Sequence, residues 1–396
     1  MTPAMRSRSH SIKQGLKICL SMLFGLILLI GLSACGLSPR VTAQERTFLS
    51  LSLEFLDRYE LPKTAFNNTP IGGLSALAYD RRQDLFYVLS DDRSQLAPAR
   101  FYTLSLSLND ADGATTIADV AIHGVTFLAH EQGEYASGDI DPEGIALSPR
   151  GTLFIASEGV PSRGVAPFIG EFDPQSGNLL NQLRVPARYL PGSLDADPQG
   201  VQENLGFESL TLSPSGLAAD DPFRLFTATE SSLLQDIALA PEAARLRFLH
   251  YVIGPVGDPI VLAEHLYLLD EAPSGAIANG LTELVTLEKE GYFLSLERTY
   301  KLSGAGAKIF QVVVGNATDT SGIDSLKNLG QVVPLKKNLL FDLGELGINL
   351  DNLEGMALGP HLSDGSQSLV LLSDDNFKEE QVTQLLLFRL QEKTRG

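Results

Sequence analysis

Hydrophobic and polar positions fall along this chain in short β-rich runs bounded by Gly, Pro, Asp and Ser, with little sustained helical periodicity. A two-strand unit recurs five times and ends each time near an acid. It runs from Leu74-Ser75-Ala76-Leu77 to Ser90-Asp91, from Glu143-Gly144-Ile145-Ala146 to Ser157-Glu158, and from Glu208-Ser209-Leu210-Thr211 to Thr229-Glu230. It then runs from Thr282-Glu283-Leu284-Val285 to Leu296-Glu297, and from Glu354-Gly355-Met356-Ala357 to Ser373-Asp374. The anchors Ser75, Glu143, Glu208, Glu283 and Glu354 stand 68, 65, 75 and 71 residues apart. Spacing that regular predicts repeated supersecondary units.

Unit two predicts strands over 143–148, 152–157, 168–172 and 179–185, and unit three over 208–213, 223–229, 245–252 and 260–268. Unit five has three, over 354–358, 368–373 and 384–390. The strand-like run 47–56 precedes the first unit and is the natural donor of the missing fourth strand, which would close a ring and remove its free edges. The one helical candidate, 233–246, is interrupted by Pro241 and reads as a loop. A sandwich needs no period near 70, and β-helix coils are much shorter. The expected fold is all-β: a β-propeller of five blades, with room for a sixth in 303–342.

The N-terminus changes the picture of where this domain works. Arg6, Arg8, Lys13 and Lys17 precede an uncharged, largely apolar run from Ile18 to Leu32, and Leu32-Ser33-Ala34-Cys35-Gly36 has the form of a lipoprotein cleavage site. The run is short for a membrane span. The expectation is a signal peptide over 1–34, a lipid-anchored tether over 35–46 with Cys35 lipidated, and one domain over 47–396 on the cell envelope. Cys19 and Cys35 are the only cysteines, so that domain has no disulfide or thiolate chemistry and must rest on its apolar core. Net charge is −18, or −22 without the four signal cations, which argues against nucleic acid and suits a domain that holds a cation.

Equivalent positions of propeller blades form rings around a central channel. Ser75, Glu143, Glu208, Glu283 and Glu354 form one expected ring, and Asp91, Glu158, Glu230, Glu297 and Asp374 a second. Two carboxylates about 6 Å apart repel by roughly 3 kcal/mol at an effective dielectric near 20, so such rings need protons or a cation. Oxygen donors on a rigid scaffold favour Ca²⁺, with Mg²⁺ second. The other reading is that the ring-one acids accept backbone hydrogen bonds between blades, and that the Ser-Asp and Ser-Glu pairs are turn residues. Glu143 and Glu354, beside further acids, are the candidate catalytic pair. Arg93 and Arg298 are candidate substrate cations, or partners of the adjacent acids. Gly-x-Ser-x-Gly is absent after the signal, and His130-Glu131 lacks a second histidine, so neither a nucleophile elbow nor a zincin site is supported.

Asp141-Pro142-Glu143-Gly144-Ile145-Ala146 with Ser157-Glu158-Gly159, Asn279-Gly280-Leu281-Thr282-Glu283-Leu284 with Leu296-Glu297-Arg298, and Asn352-Leu353-Glu354-Gly355 with Ser373-Asp374-Asp375-Asn376 resemble the phytase-like family, the bacterial group labelled "esterase-like activity of phytase". The resemblance covers about residues 72–390. It implies a propeller and hydrolysis of an ester or phosphoester small molecule at the channel mouth. Phytate itself calls for several Lys and Arg, whereas Arg93, Arg163 and Arg298 are the few cations near the repeat ends. The alternative is a non-catalytic envelope propeller that binds a ligand or protein, or a structural protein whose acids only join blades.

Overall fold

A computed structural model describes residues 47–111, 114–192, 198–214, 216, 218–238, 243–302, 304–328 and 330–393. The signal, Cys35 and the tether lie outside them. No helix among the described residues is long and apolar enough to cross a membrane.

Within the compact unit Ser50–Gly396, twenty strands build five four-stranded antiparallel sheets. Blade one is Leu74–Asp80, Leu85–Ser90, Arg100–Ala111 and Ala114–Phe127. Blade two is Pro142–Leu147, Leu153–Ser157, Phe168–Phe172 and Leu179–Gln182. Blade three is Phe207–Pro214, Phe223–Thr229, Arg245–Ile253 and Ile260–Leu268, and blade four Ala276–Thr286, Tyr292–Lys301, Gly304–Val313 and Lys336–Asp342. Blade five takes Asn352–His361, Gln367–Asp374 and Thr383–Glu392 from the C-terminus and Leu51–Leu61 from the N-terminus. The first strand of each blade packs on that of the next, and Asn352–His361 returns to Leu74–Asp80, so the ring closes as a five-bladed β-propeller. Among the described residues of 303–342, Gly304–Val313 and Lys336–Asp342 are the two outer strands of blade four, and no sixth blade is formed there.

The near-continuous hydrophobic runs follow from burial on both faces of a blade. Side chains alternate across a strand, so Val370 and Leu372 enter the core between blades five and one, while Leu369 and Leu371 enter that between four and five. Leu153 and Ile155 likewise face blade one, and Phe154 and Ala156 face blade three. Five apolar clusters result, one per blade interface.

The closing strand lies later than its sequence pattern suggests, at Leu51–Leu61 rather than 47–56, because its ladder to Thr383–Glu392 continues past a bulge between Phe55 and Asp57 to reach Tyr59 and Leu61. Among the described residues of 233–246, Leu234–Asp236 form a short 3₁₀ turn and a strand begins at Arg245. Phe388 joins the two ends of the chain: its ring meets Phe55 of the closing strand at 5.4 Å and Phe341 of blade four at 5.5 Å, both edge-on. Phe388→Ala should therefore cost about 3–4 kcal/mol in urea unfolding. A loss under about 1 kcal/mol, the range of a surface change, would contradict this role at the closure.

Candidate functional site

In each blade the pairing of the first two strands skips a residue of the first next to the channel end of the second strand. The skipped residues are Ser75, Glu143, Glu208, Thr282 and Glu354. A bulge of this kind re-aims one side chain, here at the same level in every blade. The residue before each bulge faces Ser90, Ser157, Thr229, Glu297 and Ser373. The next residues along those second strands are Asp91, Glu158, Glu230, Arg298 and Asp374.

Pairing therefore assigns blade four differently from spacing: its two ring positions hold Thr282 and Arg298, not Glu283 and Glu297. Glu283 is level with Gly144 and Gly355, where first strands of adjacent blades nearly touch; a Cβ at Gly144 would lie 2.8 Å from the Glu208 carbonyl oxygen. The Glu283 carboxylate turns sideways and accepts the backbone N–H of Leu210 in blade three at 3.2 Å and of Leu284 at 2.9 Å. This is the blade-to-blade bond of the non-ligand reading. Glu297 points outward, accepting from the Tyr267 hydroxyl at 2.5 Å and the Asp270 N–H at 2.9 Å and pairing with Lys337.

The remaining ring members converge. A cavity of about 300 Å³ at the channel mouth is lined by Asp91, Glu143, Glu208, Glu230, Glu354 and Asp374, together with Arg93 and Arg298. Ser75 stays out of it and donates to the Glu143 carbonyl at 3.3 Å. Three carboxylate triads each place oxygens within 4.8 Å of one another: Asp141, Glu143 and Glu158; Glu143, Glu208 and Glu354; Glu158, Glu208 and Glu230. Arg298 inserts a guanidinium where its counterparts place carboxylates. It bonds Glu230 at 2.6 Å, Glu354 at 2.7 Å and the Asn352 side-chain oxygen at 2.5 Å. Arg93 is also engaged, by Asp141 at 2.6 Å and Asn204 at 2.5 Å. Asp141, Asn204 and Asn352 are site residues that repeat counting passes over. The signal for Asp141 and Asn352 is their place two residues ahead of Glu143 and Glu354.

Two arginines do not neutralise this cluster. Burial first, then Asp141 and Glu230, pushes Glu158 up to about 8. Burial takes Glu354 up to about 8 despite the opposing pull of Arg298. Asp141 and Asp374 rise to about 6, again mainly by burial. Glu143, Glu208 and Asp91 are raised well above the carboxylate range by burial first, and then by a neighbouring carboxylate: Glu208 beside Glu143, Glu158 beside Glu208 and Asp374 beside Asp91. Buried Asp91 Oδ1 has no hydrogen-bond partner. Rigid, crowded, oxygen-only donors with an uncommitted oxygen suit a hard divalent cation, Ca²⁺ ahead of Mg²⁺.

The profile of the family described as "Phytase-like: Esterase-like activity of phytase" matches residues 69–377. No curated protein sequence matches the chain. Among solved structures, an endo-arabinase from Bacteroides thetaiotaomicron is similar over 84% of this chain and 99% of its own, at 12% identity and a TM-score of 0.42. The catalytic domain of a Coprinopsis cinerea GH62 α-L-arabinofuranosidase is similar over 87% and 98%, at 9% identity and a TM-score of 0.39. A protein from Lactobacillus plantarum is similar over 84% and 77%, at 16% identity and a TM-score of 0.35. Likenesses of this degree carry no inference about substrate.

The raised carboxyls make stability depend on pH in a defined direction. Glu158 and Glu354 hold protons in the folded state up to about 8 but release them near 4.5 when unfolded, so the folded chain binds more protons between those values. Their contribution is fully present below 4.5 and is lost as pH rises to about 8. The melting temperature of chelator-treated protein should fall over this window, and Glu158→Gln should flatten the fall. A melting temperature that rises across the same window would contradict the assignment.

Proposed function

This chain belongs to the phytase-like family, and we propose that it is a divalent-cation-dependent hydrolase of ester or phosphoester bonds working in the acidic cavity at the channel mouth. The observation that carries this reading is the convergence of carboxylates from neighbouring blades within 4.8 Å, with their pKa values raised and Asp91 Oδ1 unpartnered. Because Arg298 already serves Glu354 and Glu230, the less compensated donors are Glu143 and Glu208, which share a triad and would hold the ion, with Asp91 lining the same cavity. Bound there, Ca²⁺ supplies electrostatic stabilisation of charge on an ester or phosphoryl oxygen.

The chain's own residues divide the remaining work. Glu143 lines the cavity and is partly exposed, and as one of the donors that would ionise on taking up the cation it accepts the proton of an attacking water at a carboxylate oxygen. Glu354 is oriented by Arg298 and the Asn352 amide at 2.8 Å, and its raised pKa leaves it protonated at neutral pH, able to donate to the leaving oxygen. Both cavity arginines are committed to carboxylates, which disfavours a polyanion such as phytate. The setting is the envelope of the exporting cell, with the domain tethered through a lipid on Cys35 as its only membrane contact.

One observation favours a second reading. No serine, cysteine or histidine is among the residues that line this cavity, so catalysis depends on water activated by carboxylates; without that activation the same cavity makes a cation-loaded binding module. Hydrolysis of p-nitrophenyl acetate and p-nitrophenyl phosphate, with Ca²⁺ and after chelator, separates the two. The hydrolase reading expects turnover that chelator stops and a kcat about 100-fold or more lower in Glu143→Gln with its melting temperature kept. Full turnover in that variant removes Glu143 from the mechanism, and no turnover of either ester leaves the binding module.

A further inference from the structure

The cavity is polar on the side of blades two, three and four, but its rim on the side of blades five and one carries two apolar side chains, Leu96 and Phe377. Each comes from the loop that follows a ring-two acid, and each loop is built to hold it there. Leu96 is 59% exposed although its backbone is anchored: buried Asp92 accepts the N–H groups of Gln95, Leu96 and Ala97 at 2.7, 3.1 and 2.8 Å and pairs with fully buried Arg100 at 2.8 Å. An exposed leucine on so ordered a turn is presented to something.

Phe377 is the more telling residue. It and Asn376 both adopt left-handed backbone conformations, with φ of 53° and 48°, which a bulky aromatic rarely tolerates. The strained turn is held by Asp374, whose carboxylate accepts the Asn376 N–H at 2.7 Å, and by Asp375, which accepts the N–H groups of Phe377 at 3.0 Å and Gly73 at 2.9 Å. The ring lies over Gly72 and Gly73, where a Cβ at Gly72 would approach its Cδ1 to 2.9 Å. Arg100 links the two loops, with its guanidinium carbon 5.9 Å from the Phe377 ring and its charge on Asp92. Strain is thus maintained at the mouth of the acidic cavity to keep an aromatic face beside it.

We propose that Leu96 and Phe377 bind the apolar half of the substrate, and that the substrate class is an uncharged aryl ester of a carboxylic acid. This rests on the hydrolase reading above and narrows it. An aryl group stacks or packs edge-on against Phe377 and covers Leu96, which sets its ester carbonyl over Glu143 and Glu208. A phosphate ester would instead bring negative charge among carboxylates whose two arginines are already paired. In the reaction, water adds its oxygen to the acyl carbon and gives a proton to Glu143. The bond from acyl carbon to aryl oxygen then breaks, and the departing phenoxide takes a proton from Glu354.

The test compares phenyl acetate with methyl acetate on calcium-loaded protein, using wild type, Leu96→Ser, Phe377→Ala and the conservative Phe377→Leu. The expected result is a KM for phenyl acetate raised about tenfold in Leu96→Ser and Phe377→Ala, with kcat and the methyl acetate kinetics kept and much of the loss restored in Phe377→Leu. An unchanged KM, or equal losses on both esters, overturns the proposal. If the wild type hydrolyses neither ester, the hydrolase reading falls separately, and saturation-transfer NMR with phenyl acetate decides the apolar rim. Ring-proton signals present with wild type and lost with Phe377→Ala support it; equal signals, or none, overturn it.

Discussion

Negative charge confined in a small buried space is the constraint on which the rest of this molecule depends. Bulges in the innermost strands aim carboxylates from blades two, three and five at one cavity, and the ends of the second strands add Asp91, Glu158, Glu230 and Asp374. Such a cluster is costly unless its members are protonated, paired or bound to a cation. The chain uses all three remedies. Raised pKa values keep protons on Glu158 and Glu354, Arg298 bridges Glu230 and Glu354, and the uncommitted oxygens around Glu143 and Asp91 invite a cation. The five interblade cores and the strand shared between the chain's two ends supply the rigidity that holds like charges together.

Blade four is where this arrangement is tuned. A carboxylate at position 298 would add charge to a cluster that already exceeds its compensation; an arginine there divides the ring into a neutralised side and an uncompensated side. Thr282 removes another acid from the same blade. The site is thereby asymmetric, with Arg298 paired to Glu230 and Glu354 on one side of it. Apolar Leu96 and Phe377 add a second asymmetry at the rim over blades five and one. A symmetric ring of five carboxylates would have neither a preferred ion position nor a preferred orientation for a substrate.

The architecture was legible because a propeller repeats: strand-length hydrophobic runs, the spacing of the acids and the orphan N-terminal run point to five units and their closure, and only the poorly repeated stretch 303–342 left the count open to a sixth. The converging acids were legible in blades two, three and five and, through Asp91, in blade one, where Ser75 stays out of the cavity; blade four was misread. Leu281-Thr282-Glu283-Leu284 offers a glutamate one residue from the bulge, and hydrophobic periodicity cannot say which residue a bulge omits. The same slip of one residue hid the role of Arg298, which reads as a flanking cation until its ladder partner, Gly280, is known. Leu96 and Phe377 carry no sequence pattern at all, since their meaning lies in backbone strain and in loops of adjacent blades meeting at one rim.

The claim beneath all of this is that protons and a cation compete for the same carboxylates. Calorimetric titration of chelator-treated protein with CaCl₂ at about pH 6.5, in two buffers of different ionisation enthalpy, measures both at once. The account predicts saturable, stoichiometric binding accompanied by proton release, as Glu143 and Glu208 ionise around the ion. Absence of binding, or binding with no release of protons, would contradict it and leave the acids as struts between blades.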